Sequence, residues 1–162
     1  MQIDLTATVE VAADAPSVFA WISDYRNDPY WREEIKKVTL STGSVERGSL
    51  ITEVSFLSNR VPEYVSQLRC IAFSAGKSIV SETIPENKFW AKNSRSVEPL
   101  PGNRTRVTYR IQFDIAVVRH GLGFSLPAFF VKLYTRITMK KYLAVLKKKL
   151  EQQKPVPVAA MH

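Results

Sequence analysis

Ile3, Leu5, Ala7, Val9 and Val11 alternate with Asp4, Thr6, Thr8 and Glu10 near the start of the chain. A period of two puts the apolar set on one side of a pleated backbone, so this segment reads as a half-buried strand. Asp14 then offers a carboxylate to the free N–H groups of a helix start, Pro16 suits the first turn, and Val18, Phe19 and Ile22 supply one apolar face. A short helix to about Ser23 is expected. Asp24 is placed to cap a second, but Pro29 interrupts it, which predicts a broken or single-turn helix.

From residue 36 to about 116 the pattern stays strand-like, in six runs: 36–41, 49–58, 63–73, 77–84, 88–98 and 105–116. Their gaps hold turn formers such as Gly43, Asn59, Gly76, Pro85 and Gly102, and gaps this short join antiparallel neighbours. The last run shows its faces best: Val107, Tyr109, Ile111, Phe113 and Ile115 alternate with Arg106, Thr108, Arg110, Gln112 and Asp114. Gly121 and Gly123 mark a loop that carries His120. Residues 127–153 then read as one long helix, with Pro127 in its first turn and Lys147, Lys148 and Lys149 near its negative end. At about 100° per residue, Leu126, Phe130, Leu133 and Ile137 form one apolar stripe, while Ala128, Val131, Thr135, Met139, Tyr142 and Leu146 form another almost opposite. Pro155 and Pro157 cannot continue the helix, so residues 154–162 are expected to be a flexible tail beyond a single domain, 1–153.

Composition agrees with one globular domain. The chain has 162 residues, 45% of them hydrophobic, enough to bury roughly two-thirds of the unfolded surface and enclose a cavity without disulfides. Its longest uncharged stretch, 120–131, is far shorter than the roughly 20 residues of a membrane-spanning helix. The N-terminus lacks a basic and apolar leader and Cys70 is alone, from which a cytoplasmic location is expected. Charge is uneven: residues 132–162 carry eight cations and one acid, net +7, whereas residues 1–131 carry 15 and 14, net +1. Nucleic-acid binding by the whole fold therefore lacks an electrostatic motive, and only the C-terminal segment suits an anionic partner.

Four passages resemble a known family. They are Val9-Glu10-Val11 with the run from Ala15 to Ile22, Asp24-Tyr25 to Trp31, Asn103-Arg104-Thr105-Arg106-Val107, and Leu143 to Glu151. Together with the order strand, two short helices, six-strand meander and long helix, they resemble the START-like, SRPBCC superfamily of polyketide cyclases, plant allergens, hormone receptors and lipid-transfer domains. The resemblance covers about residues 2–152, and its motifs specify a fold rather than a chemistry; the family's glycine before Thr105 is replaced by Asn103-Arg104. It implies an α+β helix-grip fold: a seven-stranded antiparallel sheet curled around the C-terminal helix, enclosing a cavity for a hydrophobic or amphipathic ligand, lipid-like or polycyclic.

The chemistry-bearing residues are sparse. With His120 and His162 as the only histidines and Cys70 alone, no zinc spacing exists, and no metal or cofactor is expected. Trp31, Phe56, Tyr64 and Phe89 are candidate pocket aromatics, as are Tyr109, Phe113, Phe129, Phe130 and Tyr134. If Val54 and Phe56 face inward, so does Thr52; if Phe89 and Ala91 do, so do Asn93 and Arg95. Arg95 would then hold a ligand carboxylate or carbonyl, or pair with Glu82, while the opposite register turns Trp90 and Lys92 inward. Glu82, Asp28, Tyr109 and Tyr64 are the catalytic candidates, since a desolvated acid could move protons in an aldol-type cyclisation or a dehydration. The leading expectation is binding of a hydrophobic small molecule, with a polyketide cyclase or dehydratase as the alternative. A further alternative joins the Lys-rich helix end to Phe129, Phe130, Leu133 and Tyr134 as a peripheral contact with an anionic membrane, or makes the Leu126, Phe130, Leu133 and Ile137 stripe a homodimer face.

Overall fold

The alternation of apolar and polar residues resolves into strands β1 (Gln2–Val11), β2 (Ile35–Leu40), β3 (Leu50–Ser55), β4 (Tyr64–Ser74), β5 (Ser78–Thr83), β6 (Ala91–Leu100) and β7 (Arg104–Asp114). This computed structural model describes residues 1–153, so the expected tail, 154–162, lies outside the described residues. The strands form one curled antiparallel sheet in the order β1-β7-β6-β5-β4-β3-β2. Consecutive strands are neighbours throughout except β1, which crosses to the far edge and pairs with β7 from Gln2↔Asp114 to Val11↔Thr105. The helix-grip, α+β architecture implied by the resemblance is the one observed.

Helix α1 (Ala15–Ser23) begins as its sequence dictates, with the Asp14 carboxylate accepting from the Ser17 N–H at 2.9 Å, and buries Val18, Phe19 and Ile22. Replacing Asp14 by Ala should lower unfolding free energy by about 1 kcal/mol; an unchanged urea midpoint would show that the cap contributes nothing. Asp24 caps a 3-10 run, Tyr25–Tyr30, through the Arg26 N–H, and Pro29 lies inside it. The tighter 3-10 winding fits a sequence that a proline prevents from propagating as an α-helix.

After β7 the chain departs from the expected loop. The strand stops at Asp114, whose Oδ1 accepts from the Ala116 N–H at 2.9 Å, and a short helix α2 (Ala116–Leu122) follows. Gly123, at φ 84°, ends it with an N–H bonded to the Arg119 carbonyl. The glycine expected to mark a loop is thus a helix C-terminus in the left-handed region, and His120 sits inside a helix. Helix α3 (Ala128–Gln152) buries Val131, Met139, Tyr142, Leu143, Leu146 and Leu150 and packs on β1. Only one of its two apolar stripes meets the core; Phe130, Leu133 and Ile137 of the other are exposed.

Candidate functional site

Between the sheet and α3 lies a cavity of about 910 Å³. Its apolar wall comes from Leu57, Ile111 and Phe113 on the sheet side and from Val118, Leu126 and Met139 on the helical side. Gly121 in α2 packs beside Leu57 at this wall. Polar side chains gather in one part of the wall, among them Arg32, Glu34, Glu53, Asn93, Tyr109 and Tyr142.

These polar residues belong to a buried network centred on Asp28 and Arg95. The Asp28 carboxylate takes both ends of the Arg95 fork, at 2.7 and 2.6 Å, and a further bond from Arg32 at 3.0 Å. Arg95 is 1% exposed. It also donates to the Ile22 carbonyl at 2.8 Å and to the Asn93 side chain at 2.9 Å, and lies over the Tyr25 ring at 3.8 Å. Burial alone would lower its pKa, and is the largest single influence, but the charge and hydrogen bonds of Asp28 together with the neighbouring Tyr25 and Tyr109 phenols outweigh it and hold the pKa raised. The network extends from Asn93 Nδ2 to the Tyr109 hydroxyl at 3.2 Å and from the Ser81 hydroxyl to the Tyr25 phenol at 2.8 Å. Burial pushes the Tyr25 phenol up to about 12, so it remains a neutral donor and acceptor.

Arg32 carries the network into the cavity. It bonds Glu34 at 3.0 and 3.2 Å and Glu53 at 3.4 Å. Desolvation raises the Glu53 carboxyl above its ordinary value, only partly offset by Arg32, while burial raises Tyr109 against the pull of Arg32 and Arg95. Burial, and then the neighbouring Glu34 charge, raise Tyr142 as well. Glu34 Oε2 is buried without a hydrogen-bond partner among the described residues.

Because folded Glu53 holds its proton more tightly than the unfolded chain does, its charge destabilises the fold. The cost is absent below the unfolded pKa, grows as pH rises, and is complete above the folded pKa. The stability of the natural chain relative to Glu53→Gln should therefore fall as pH rises above the ordinary glutamate range of about 4. Paired urea titrations at increasing pH test it; a constant or rising difference would contradict the reading.

The sequence-derived candidates separate into three groups. Phe56, Tyr64, Ala91 and Asn93 line the cavity, as do Tyr109, Phe113 and Tyr134. Trp31 and Arg95 lie behind that wall: Trp31 packs edge-on against Tyr109 at 5.2 Å and near the Arg95 guanidinium. Phe89 joins Tyr64 and His120 in an aromatic cluster, while Phe129 and Phe130 point to solvent. Of the acids, Asp28 is fully buried in the network, and Glu82 accepts from the Trp90 indole at 2.7 Å in a smaller depression with Arg69 and Ile84. Arg95 thus faces inward as one register required, but its partner is Asp28 and not Glu82.

On β3 the expected inward set is corrected: Ile51, Glu53 and Ser55 are buried, with Thr52 and Val54 on the other face. Strand β6 also starts later than expected, at Ala91, because the Thr83 hydroxyl takes the Ala91 N–H that a backbone carbonyl would otherwise bond. Arg32, Glu34 and Glu53 are the site residues that sequence reasoning missed. The polar alternation Glu53, Ser55 beside Ile51 was the available signal.

A family model described as "Polyketide cyclase / dehydrase and lipid transport" matches residues 2–151. Among solved structures the chain is similar to a START superfamily protein from Mycobacterium smegmatis, at 18% identity and TM-score 0.73, covering 93% of this chain and 99% of that one. It is also similar to the Zhui aromatase/cyclase from Streptomyces sp. R1128, at 15% identity and TM-score 0.70, covering 98% of both. The di-domain ARO/CYC StfQ from the steffimycin biosynthetic pathway matches at 11% identity and TM-score 0.70, over 94% of this chain and 52% of that one. No curated protein sequence gives a significant match.

Proposed function

We propose that this chain, which belongs to the polyketide cyclase / dehydrase and lipid transport family, holds an amphipathic small molecule in its cavity, with residues 1–153 acting as one ligand-binding domain. The observation that carries this reading is the uneven wall, apolar around Leu57, Ile111, Phe113, Val118, Leu126 and Met139 and polar around Arg32, Glu34 and Glu53. Small-molecule pockets of roughly 300–1,000 Å³ combine an apolar lining with a few polar groups that orient the guest. The volume of about 910 Å³ suits a lipid-like or polycyclic body.

The polar part of the wall favours a guest that donates hydrogen bonds over an anionic one. Three carboxylates, from Asp28, Glu34 and Glu53, already engage the two guanidiniums of Arg32 and Arg95. The buried Glu34 Oε2 is free to accept from a ligand hydroxyl or phenol. A carboxylate guest would instead meet that oxygen at close range, and like charges brought together cost several kcal/mol.

Displacement of the neutral dye Nile red tests the reading. A long-chain alcohol should displace it at about tenfold lower concentration than the carboxylate of equal length. Equal or better displacement by the carboxylate would overturn the donor preference, and absence of dye binding would overturn the cavity reading itself.

A second reading, cyclisation or dehydration of a polyketide, rests on Glu53. A carboxyl whose affinity for a proton is raised by desolvation, beside a guanidinium, is suited to protonate a departing hydroxyl and then recover the proton. Turnover of a candidate polyketide that survives Glu53→Gln would sink this role.

A further inference from the structure

The outer face of α3 and the segment before it carry what the core leaves unused. Leu122, Phe124, Phe129 and Phe130 are exposed, and Leu133, Tyr134 and Ile137 continue the stripe along the helix. Phe129 and Tyr134 are 69% and 72% exposed, unusual for aromatic side chains of a folded domain. On the helix these residues fall at positions 129, 130, 133, 134 and 137, which share one face opposite Val131, Met139 and Tyr142. Lys132, Arg136 and Lys140, four residues apart, run along one margin of that face. From 115 to 150 the chain has eight Lys or Arg and no Asp or Glu.

The patch adjoins the cavity rim. Leu122 and Tyr134 both line the cavity and reach solvent, and across the rim Phe56 does the same with Lys36 Nζ 5.8 Å from its ring centre. Arg60 adds another cation, its guanidinium lying close against Gly123.

We propose that this face docks on an anionic lipid membrane, placing the cavity rim against the bilayer. No helix among the described residues is long and apolar enough to cross a membrane, so the contact is peripheral. Apolar side chains that insert at headgroup depth, bordered by long cations that reach lipid phosphates, are the two components such a contact needs. The charge pattern argues against a second copy as occupant, because a two-fold interface through this face would bring together two copies of a segment, 115–150, that carries eight cations and no Asp or Glu to meet them. An acidic protein satisfies the cations but leaves protruding Phe129, Phe130 and Phe124 without the fluid apolar medium that a bilayer offers.

Flotation of the full chain with phosphatidylcholine vesicles, alone or with about one-third phosphatidylglycerol, tests the proposal. Binding is expected to the anionic vesicles and to weaken as salt is raised from about 0.1 to 0.5 M. Lys132→Gln and Arg136→Gln should each lower partitioning about fivefold, and the pair Phe129→Ser with Phe130→Ser about tenfold or more. The two charge variants leave apolar packing untouched and keep the test open should the serine pair fold poorly. Nile red binding in solution should be unchanged in all of them, which separates this surface from the cavity reading. Failure to float with anionic vesicles, or unaltered flotation of both charge variants, overturns the proposal. So does a dimer in sedimentation that the serine pair abolishes, which would assign the face to a second copy.

Discussion

Arg95→Met is expected to cost about 3–5 kcal/mol of folding stability, the usual consequence of leaving one member of a buried ion pair without its partner. Methionine keeps much of the stem volume, so the loss reports the charge and its donors more than a cavity. Four groups lose a bond at once: both Asp28 oxygens, the Ile22 carbonyl and the Asn93 amide oxygen. Arg32 remains beside Asp28, so that carboxylate keeps one cation. Asp28→Asn combined with Arg95→Met should recover part of the loss, because the excess of carboxylates over guanidiniums in the network then returns to that of the natural chain. Urea unfolding measures both. A single-variant loss under about 1 kcal/mol would mean that the pair contributes little beyond a surface ion pair. This outcome also separates a structural lock from a ligand anchor: an anchor would change affinity for an anionic guest while leaving the unfolding midpoint in place.

The second large effect falls on binding. Ala91→Trp should reduce Nile red affinity by roughly tenfold or more while the chain stays folded, because the indole takes the space that the guest needs. Ala91 opens β6, pairs with Phe113, and lines the cavity with only a methyl group. Overpacking inside a filled core costs about 1–3 kcal/mol, but here the added ring has a cavity to enter. Ala91→Ser, which adds a single oxygen, is the control and should bind dye nearly as the natural chain does. Full dye affinity in a folded tryptophan variant would place the guest away from the β6 end of the cavity.

Local chemistry made most of the fold legible. Asp14 and Asp24 announced their caps, Pro29 announced the broken helix, and the clean alternation of β7 announced both of its faces. The charge cluster was less legible because its members come from different segments and recognise one another only after folding. Asp28 and Arg95 are separated by 67 positions, and neither neighbourhood shows that the other end exists. On β3, hydrophobicity pointed the wrong way: Thr52 and Val54 look no less suited to a core than Glu53 and Ser55, until Arg32 is seen opposite Glu53. Helix α3 posed a similar ambiguity, with two apolar stripes of comparable quality. Packing on β1 selected one, and the pattern alone had no means of choosing.

The pairing of β1 with β7 also sets the order in which the molecule can be completed. Gln2 and Asp114 are partners across more than one hundred positions, and α3, which packs on β1, follows later still. At roughly 5–20 residues per second of synthesis, β1 leaves the ribosome on the order of ten seconds before its partner strand. During that interval Ile3, Leu5 and Val11 have no final place to be buried, and the edge of β1 is open to other chains. The hairpins from β2 to β7 can form meanwhile from short-range contacts, whereas joining β1 to them closes the largest loop in the sheet and is expected to be the slow step.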